Sequence, residues 1–352
     1  MPGCDYRLSQ ITPDRPLSAV SSSSTTDLAA SAVAVVVVGT VALDLLHFWD
    51  ASRSVPTGVQ IDLGGVCKHV ACVLGALDQP VQFITTQFSG ELSQSLAAVL
   101  NTAQVHWQPI PLLAPFSLFE AHIDSRDEVF AESFVEGDSL ATLTPAILRQ
   151  QTSIRQARWI VTCSNLSVAS MQALAGIAAV DRRPFWLLTS SDLEVPRLRQ
   201  LLDAPDAPID LLSLNRAELS LLVNRTLDTL PEAAAAALEL TAAVGACLLT
   251  LGERGALLAE RGGAVHYQPV LPISGRSPVG GGDVLFASLL AGRLRAYPWP
   301  EALHFAAICT RRYLLRDKNS PTPYAVLHDF SADSALLPDF PPVEKITLPH
   351  GH

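Results

Sequence analysis

The sequence predicts an α/β protein built on a mostly parallel sheet flanked by helices, with a small extra β-sheet outside it. Three observations carry that expectation. From residue 143 onward, short apolar runs alternate with helical segments, the rhythm of βαβ units. Near the start, Val33-Ala-Val-Val-Val-Val-Gly-Thr-Val-Ala-Leu43 is a continuous, β-branched run, as expected of a central strand covered on both faces. Late in the chain, Ser277-Pro-Val-Gly-Gly-Gly-Asp283 runs into apolar Val284–Gly292, a helix that starts on glycines.

Taken in order, the chain begins with Met1–Ala30, rich in Ser, Thr, Asp and Pro, which reads as a disordered leader. It lacks a basic segment followed by an apolar core, so a secretory signal is not expected. The apolar run 32–43 falls short of the about 20 residues that span a bilayer. Asp44 follows at the C-terminal end of the first strand, where open α/β sheets place their ligands. A loop-capping role for Asp44 fits equally well at this point. Phe48–Gln60 is polar and irregular, and Gly64-Gly65 then breaks the chain before a helix carrying Val66, Val70, Val73, Leu74 and Leu77 on one side. A strand at Val81–Thr86, a helix at Glu91–Leu100 and a strand at Val105–Ile110 come next.

Ser117–Asp138 has the alternation of a hairpin turned by Asp124–Asp127. Strands within about 46–60 and 115–138 together form a small sheet suited to act as a lid. Strands at Trp159–Thr162, Pro184–Leu188, Ile209–Leu214 and Ala246–Leu251 then alternate with helices at Val168–Ala179, Val195–Leu202, Arg216–Val223 and Glu232–Val244. A hairpin over Leu257–Glu260 and Val265–Pro269 and helices at 283–295 and Pro300–Leu315 complete one domain, about 31–320. The segment 321–352 is Pro-rich and loop-like.

The balance of 24 Lys+Arg against 34 Asp+Glu gives a net charge of −10 with no basic block. Nucleic acid and anionic membrane are therefore not expected as partners, whereas a small anionic ligand in a local pocket is compatible. Cys4, Cys67, Cys72, Cys163, Cys247 and Cys309 form no Cys-x-x-Cys pair, which fits buried free thiols in a reducing cytoplasm.

Chemistry concentrates at Gly280–Asp283. Three glycines leave the peptide N–H groups uncovered, and a helix starting there adds the positive end of its dipole, which makes a pocket for phosphate. A carboxylate in such a pocket is useful if Asp283 takes a proton from a hydroxyl attacking phosphorus. The plainer alternative is a Gly-rich turn with Asp283 as N-cap. Two strand ends join it: Asn215-Arg-Ala-Glu218 and Thr250-Leu-Gly-Glu-Arg-Gly255, each also readable as an ordinary cap or turn. The first strand runs into Gly39-Thr-Val-Ala-Leu-Asp44 rather than Gly-x-Gly-x-x-Gly, which disfavours a dinucleotide-dependent dehydrogenase.

In this order and spacing, from the strand ahead of Asp44 through Gly64-Gly65, Asn215-x-x-Glu218 and Thr250–Gly255 to Gly280-Gly-Gly-Asp283, the chain resembles the ribokinase-like (phosphofructokinase B) carbohydrate and nucleoside kinases over about residues 33–320. The resemblance implies a three-layer α/β/α fold with a lid, and ATP with Mg²⁺ as cofactors. It implies Asp283 as base, Gly280, Gly281 and Gly282 as anion hole, and Asp44, Gly64, Gly65, His69, Ser117 and Asn165 around the sugar. It further implies Asn215, Glu218, Thr250, Gly252 and Gly255 around the nucleotide, with Glu218 toward Mg²⁺. Separately, the apolar lid residues Phe119, Ile123, Phe130 and Phe134 are compatible with a homodimer through the lid.

Gly64-Gly65-Val66, Ser117, Ile123-Asp124, Leu143-Thr-Pro145, Ser164-Asn-Leu-Ser167 and Asn215–Leu219 are closest to the pseudouridine kinases of that family. This favours pseudouridine over a generic ribokinase- or fructokinase-like sugar substrate. Two departures stand out. His69, larger than the usual Asn and able to carry charge, alters the sugar site. Ser277-Pro278-Val279 replaces a leading aspartate, so monovalent-cation activation is less expected. Together they motivate an alternative, a family member that binds but turns over poorly.

Overall fold

The computed structural model describes residues 33–87, 90–110, 117–125, 129–135, 139–204, 208–273, 279–317, 320, 322–328 and 340–348. The apolar run at the start divides into two strands belonging to different sheets. β1 (Val35–Val38) is buried at every residue. Its side chains alternate between two cores: Val35 and Val37 pack into one, Val36 and Val38 into the other. That two-sided burial is why four valines in a row form a strand rather than an amphipathic edge. After Gly39-Thr40-Val41 the chain enters β2 (Ala42–Trp49), which lies in the second sheet. The expectation of one continuous central strand ending at Asp44 is therefore corrected: Asp44 sits inside a lid strand. Apolar periodicity does not mark the change because both strands begin with buried residues.

The main sheet has ten strands among the described residues. Beside β1 lie β4 (Val81–Thr86) and β5 (His106–Ile110) on one side, all parallel. On the other side come β8 (Trp159–Cys163), β9 (Phe185–Leu188), β10 (Leu211–Asn215) and β11 (Ala246–Thr250), again parallel. The hairpin β12 (Ala256–Glu260) and β13 (Val265–Gln268) and the short β14 (Glu344–Lys345) extend that edge antiparallel. Strand order thus reverses between β1 and β8, which opens a ligand crevice at their C-terminal ends.

One core lies between the sheet and α1 (Val66–Ala76), α9 (Gly281–Leu294) and α10 (Trp299–Leu315). The other lies against α3 (Ser139–Arg149), α5 (Val168–Val180), α6 (Val195–Leu202) and α8 (Leu230–Leu240). The remaining helices are α2 (Glu91–Thr102), α4 (Gln151–Gln156) and α7 (Arg216–Val223). Sequence reading does not anticipate α3 or α4, and places α8 two residues late; its Thr229–Glu232 capping box sets the start. No described helix is long and apolar enough to cross a membrane.

The second sheet runs β3 (Pro56–Gly64), β2, β6 (Ser117–Ile123), β7 (Val129–Val135). β2 and β6 pair parallel, and both outer pairs are antiparallel. A smaller second sheet is present, and its first half extends beyond the expected 46–60: strands occupy 42–49 and 56–64. Arg126 and Asp127 of the expected turn lie outside the described residues.

The Pro-rich segment contributes to the core rather than only wrapping around it. Tyr324, Leu327 and Phe340 are buried within the first core, and the Gln268 amide donates to Pro341 O at 2.8 Å. Leu327→Ala is expected to destabilise the protein by about 2–5 kcal/mol, as for other fully buried leucines. Urea denaturation measures this; a loss below about 1 kcal/mol would show that the segment lies outside the cooperative unit.

Candidate active site

Gly64 and Gly65 link β3 to α1, and close approach explains both. A Cβ on Gly64 would sit 2.0 Å from the Asp44 carboxylate oxygens. Gly65 has φ +104°, and a Cβ there would lie 2.8 Å from Thr40 O. β2 and β3 pair Asp44 opposite Asp62, placing two carboxylates side by side on one face of the lid. The glycines thus let the chain pass the carboxylate and start α1 at once.

The next turn of α1 carries a residue that sequence reading missed. Lys68 is 3% exposed, and its ammonium donates to Leu63 O. A lysine inside the apolar stretch Val66–Cys72 is itself the signal that could have revealed it, because an unpartnered buried ammonium is strongly unfavourable. His69 follows, its Nδ1 bonded to the Tyr324 hydroxyl from the C-terminal segment. Burial holds this imidazole well below its ordinary value, and the Lys68 and Arg316 cations push the same way. The expectation that His69 could carry charge is therefore not met: it is neutral near pH 7.

At α9, Gly280 is the N-cap with φ +78°, in the left-handed region open to glycine, and it makes no side-chain cap. Gly281 and Gly282 are already helical, so the helix starts two residues before Asp283, which sits in its first turn rather than opening it. The first helical bond recorded at this end runs from Val284 N–H to Gly280 O. No described atom lies within 4 Å of where a Gly282 Cβ would be, so a side chain there would meet open space. Uncapped first-turn N–H groups beneath open space form an anion cradle. Tyr313 closes one side: its hydroxyl would lie 2.9 Å from a Cβ on Gly280, its ring stacks on Tyr324 at 5.9 Å, and Arg316 covers it at 3.6 Å. Ser277 and Pro278 lie outside the described residues; Val279 is exposed.

Electrostatics tie these pieces together. Burial pushes the Asp283 carboxyl up to about 7; Lys68 opposes the shift, while Asp44 and Glu218 add to it. Burial likewise pushes Asp44 up to about 7, opposed by Lys68 and reinforced by Asp62. Lys68 therefore acts on both carboxylates at once.

The remaining expected residues divide. Ser117 is buried at the start of β6, opposite Ala42. Asn165 follows β8 at the crevice, but its amide is committed: Nδ2 donates to Thr40 Oγ1 at 2.9 Å and Oδ1 accepts from the Cys163 thiol at 2.8 Å. Asn215 and Glu218 form a reciprocal capping box that starts α7, and Glu218 Oε2 also accepts from the Thr189 hydroxyl. Thr250 pairs with Asn215 across β10 and β11, and Gly252 and Gly255 turn the chain into β12 with φ +61° and +99°. Except for Ser117, which begins a strand of the second sheet, these residues lie at or just beyond C-terminal strand ends of the parallel sheet.

The architecture, a parallel sheet between helix layers with a four-stranded lid, is that of the ribokinase-like small-molecule kinases. Residues 33–313 match the pfkB family of carbohydrate kinases. The chain belongs to that family of carbohydrate kinases. Solved structures share the fold. A carbohydrate kinase from Agrobacterium tumefaciens is 20% identical, with 89% of this chain and 99% of that one covered at a TM-score of 0.69. Ribokinase of Arabidopsis thaliana, complexed with ribose and ATP, is 20% identical over 86% of this chain and 100% of its own, TM-score 0.69. Adenosine kinase from Sinorhizobium meliloti is 14% identical over 84% and 98%, TM-score 0.70.

Lys68→Met removes the one influence that lowers both carboxyls. The acid limb of the pH–rate profile is expected to move to higher pH, with activity falling more at about pH 6 than at about pH 8. An unmoved limb would show that Lys68 does not set the charge state of the cleft.

Proposed function

We propose that the protein transfers the γ-phosphoryl group of ATP to the hydroxymethyl group of a ribose-type sugar or nucleoside, with pseudouridine favoured and pseudouridine 5′-phosphate as product. The observation that carries this reading is the uncapped, glycine-led N-terminus of α9 with Asp283 in its first turn, electrostatically coupled to Asp44. The family implies ATP, and the residues fit it, since open backbone N–H groups and a helix dipole suit transferred phosphate. Mg²⁺, when bound, supplies charge neutralisation on the phosphates; Glu218, anchored through Oε2, is the residue that would help hold it.

In this mechanism Asp283 accepts the proton of the attacking hydroxyl as the new O–P bond forms and the bond to the departing ADP oxygen breaks. A carboxyl near 7 is a stronger base than an ordinary aspartate and is about half ionised at neutral pH. The N–H groups of Gly281, Gly282 and Asp283 stabilise charge on the phosphoryl oxygens. Asp44 accepts hydrogen bonds from sugar hydroxyls, in the space left by Gly64 and Gly65. Ser117 lines the lid side, Asn165 braces Thr40 at the crevice, and neutral His69, held by Tyr324, supplies a shape-defining wall. Asn215, Thr250, Gly252 and Gly255 border the nucleotide. Ser164–Ser167 and Leu143–Pro145 support pseudouridine, whereas His69 in place of the family's usual Asn supports a different sugar as the second reading. Exposed Val59, Ile61, Phe134 and Val135 on the lid support pairing of two copies.

Incubation with Mg-ATP and a panel of ribosides and sugars, with and without potassium, tests the reading. Pseudouridine is expected to give the 5′-phosphate with the highest kcat/KM. Asp283→Asn is expected to lower kcat by about 10²–10⁴-fold with little change in nucleotide affinity. Near-normal turnover in that variant contradicts the assignment of the base. ATP binding without turnover across the whole panel favours a chain that binds but does not catalyse.

A further inference from the structure

On the lid face opposite Asp44, three side chains converge that play no part in the kinase cleft. Parallel pairing of β2 with β6 sets His47 directly beside His122, and Glu120, two residues earlier on β6, shares their face. His47 Nε2 lies 2.9 Å and His122 Nε2 3.7 Å from Glu120 Oε1, and one donor atom from each residue falls within 4.8 Å of the others. The two imidazoles stack, centroids 4.8 Å apart and 10° from parallel. His47 Nε2 is buried and makes no well-aligned hydrogen bond, its polar neighbour being Glu120 Oε1. Arg53, whose guanidinium covers the neighbouring Phe130 at 4.8 Å, is paired with Asp124 at 2.8 Å.

We propose that His47, Glu120 and His122 bind a zinc ion on the lid, with a fourth coordination position open to water. Two imidazoles and a carboxylate are a zinc donor set. Bonds of about 2.0–2.1 Å in a tetrahedral site place neighbouring donors ~3.3 Å apart; Glu120 lies 2.9 Å and 3.7 Å from the two imidazole nitrogens and all three donors fall within 4.8 Å, so the imidazoles must close somewhat on the ion. The ion ties β2, which carries Asp44, to β6, which carries Ser117, so it fastens together the two central strands of that sheet.

Entry has a defined consequence. The Trp49 indole N–H donates to His122 Nδ1 at 3.0 Å, which leaves the ring proton on Nε2. Coordination through Nε2 moves that proton to Nδ1 by way of solvent, and Trp49 loses its acceptor. Zinc binding therefore changes the surroundings of one particular tryptophan.

Titration of the full chain, free of nucleotide, with zinc chloride tests this by calorimetry and tryptophan fluorescence. One equivalent is expected to bind, with a fluorescence change that disappears in Trp49→Phe while affinity rises several-fold. Second-shell changes alone cost about 10–100-fold in metal affinity, so His47→Asn and His122→Asn are each expected to lose more than about 100-fold. Zinc-edge X-ray absorption of the unmodified protein, which needs no variant to fold, should show two imidazoles. Absence of stoichiometric binding, a zinc ion without imidazole ligands, or binding unchanged in the His47→Asn/His122→Asn double variant (as for zinc held by the cleft carboxylates or the terminal histidines) each overturns the proposal.

Discussion

The cleft depends on one electrostatic arrangement: two carboxylates withdrawn from water and a single buried ammonium acting on both. Asp44 arrives on a lid strand and Asp283 on the first turn of a core helix, yet Lys68 on α1 lowers the pKa of each while burial raises it. Desolvation wins, and both groups settle near 7. Asp44 also raises the Asp283 carboxyl, so ionisation of Asp44 opposes that of Asp283. The surrounding structure serves this arrangement. Gly64 leaves room for Asp44, Gly280 lets α9 begin without a cap, and the turn before α1 provides Leu63 O for the ammonium.

The arrangement also explains why distant parts of the chain meet here. His69 adjoins Lys68, and its ring is fixed by Tyr324, whose own ring stacks on Tyr313 beside Gly280. The C-terminal segment is thereby connected to the wall of the cleft. On the opposite side, the lid strands place Asp44 and Asp62 on one face and the His47–Glu120–His122 cluster on the other. A strand's two-residue alternation lets one element serve the substrate on one side and a separate ligand on the other.

Much of this was legible in the sequence, and the gaps have physical causes. The βαβ rhythm after residue 143 gave the parallel sheet because each strand is a short apolar run with a helix behind it. The order of Gly64-Gly65, Asn215-x-x-Glu218 and Gly280–Asp283 pointed to the crevice, because close approach or positive φ requires Gly64, Gly65 and Gly280, and side-chain capping uses Asn215 and Glu218. The division of Val33–Leu43 into two strands was hidden because the second begins buried, Ala42 being 6% exposed. α3 was obscured by Pro145 within it. Tyr324, Leu327 and Phe340 are isolated among prolines without a period, so only tertiary contact reveals them as core. Lys68 was visible as a charge in an apolar helix, but the partners that give it meaning come from three other segments.

The central claim is that folding holds Asp283 in a place where its charge is unfavourable. The sign follows from its raised pKa: between the ordinary carboxylate range and about 7 the folded state retains a proton the unfolded chain has released, so stability falls as pH rises through that window. Thermal unfolding of Asp283→Asn beside the unaltered protein, across about pH 5 to about pH 8, is the most direct measurement. The account predicts that the asparagine raises Tm by a few degrees at the upper end and that the gain shrinks toward the lower end, as the pH approaches the range where the unfolded chain is protonated as well. An equal or lower Tm at every pH would contradict it.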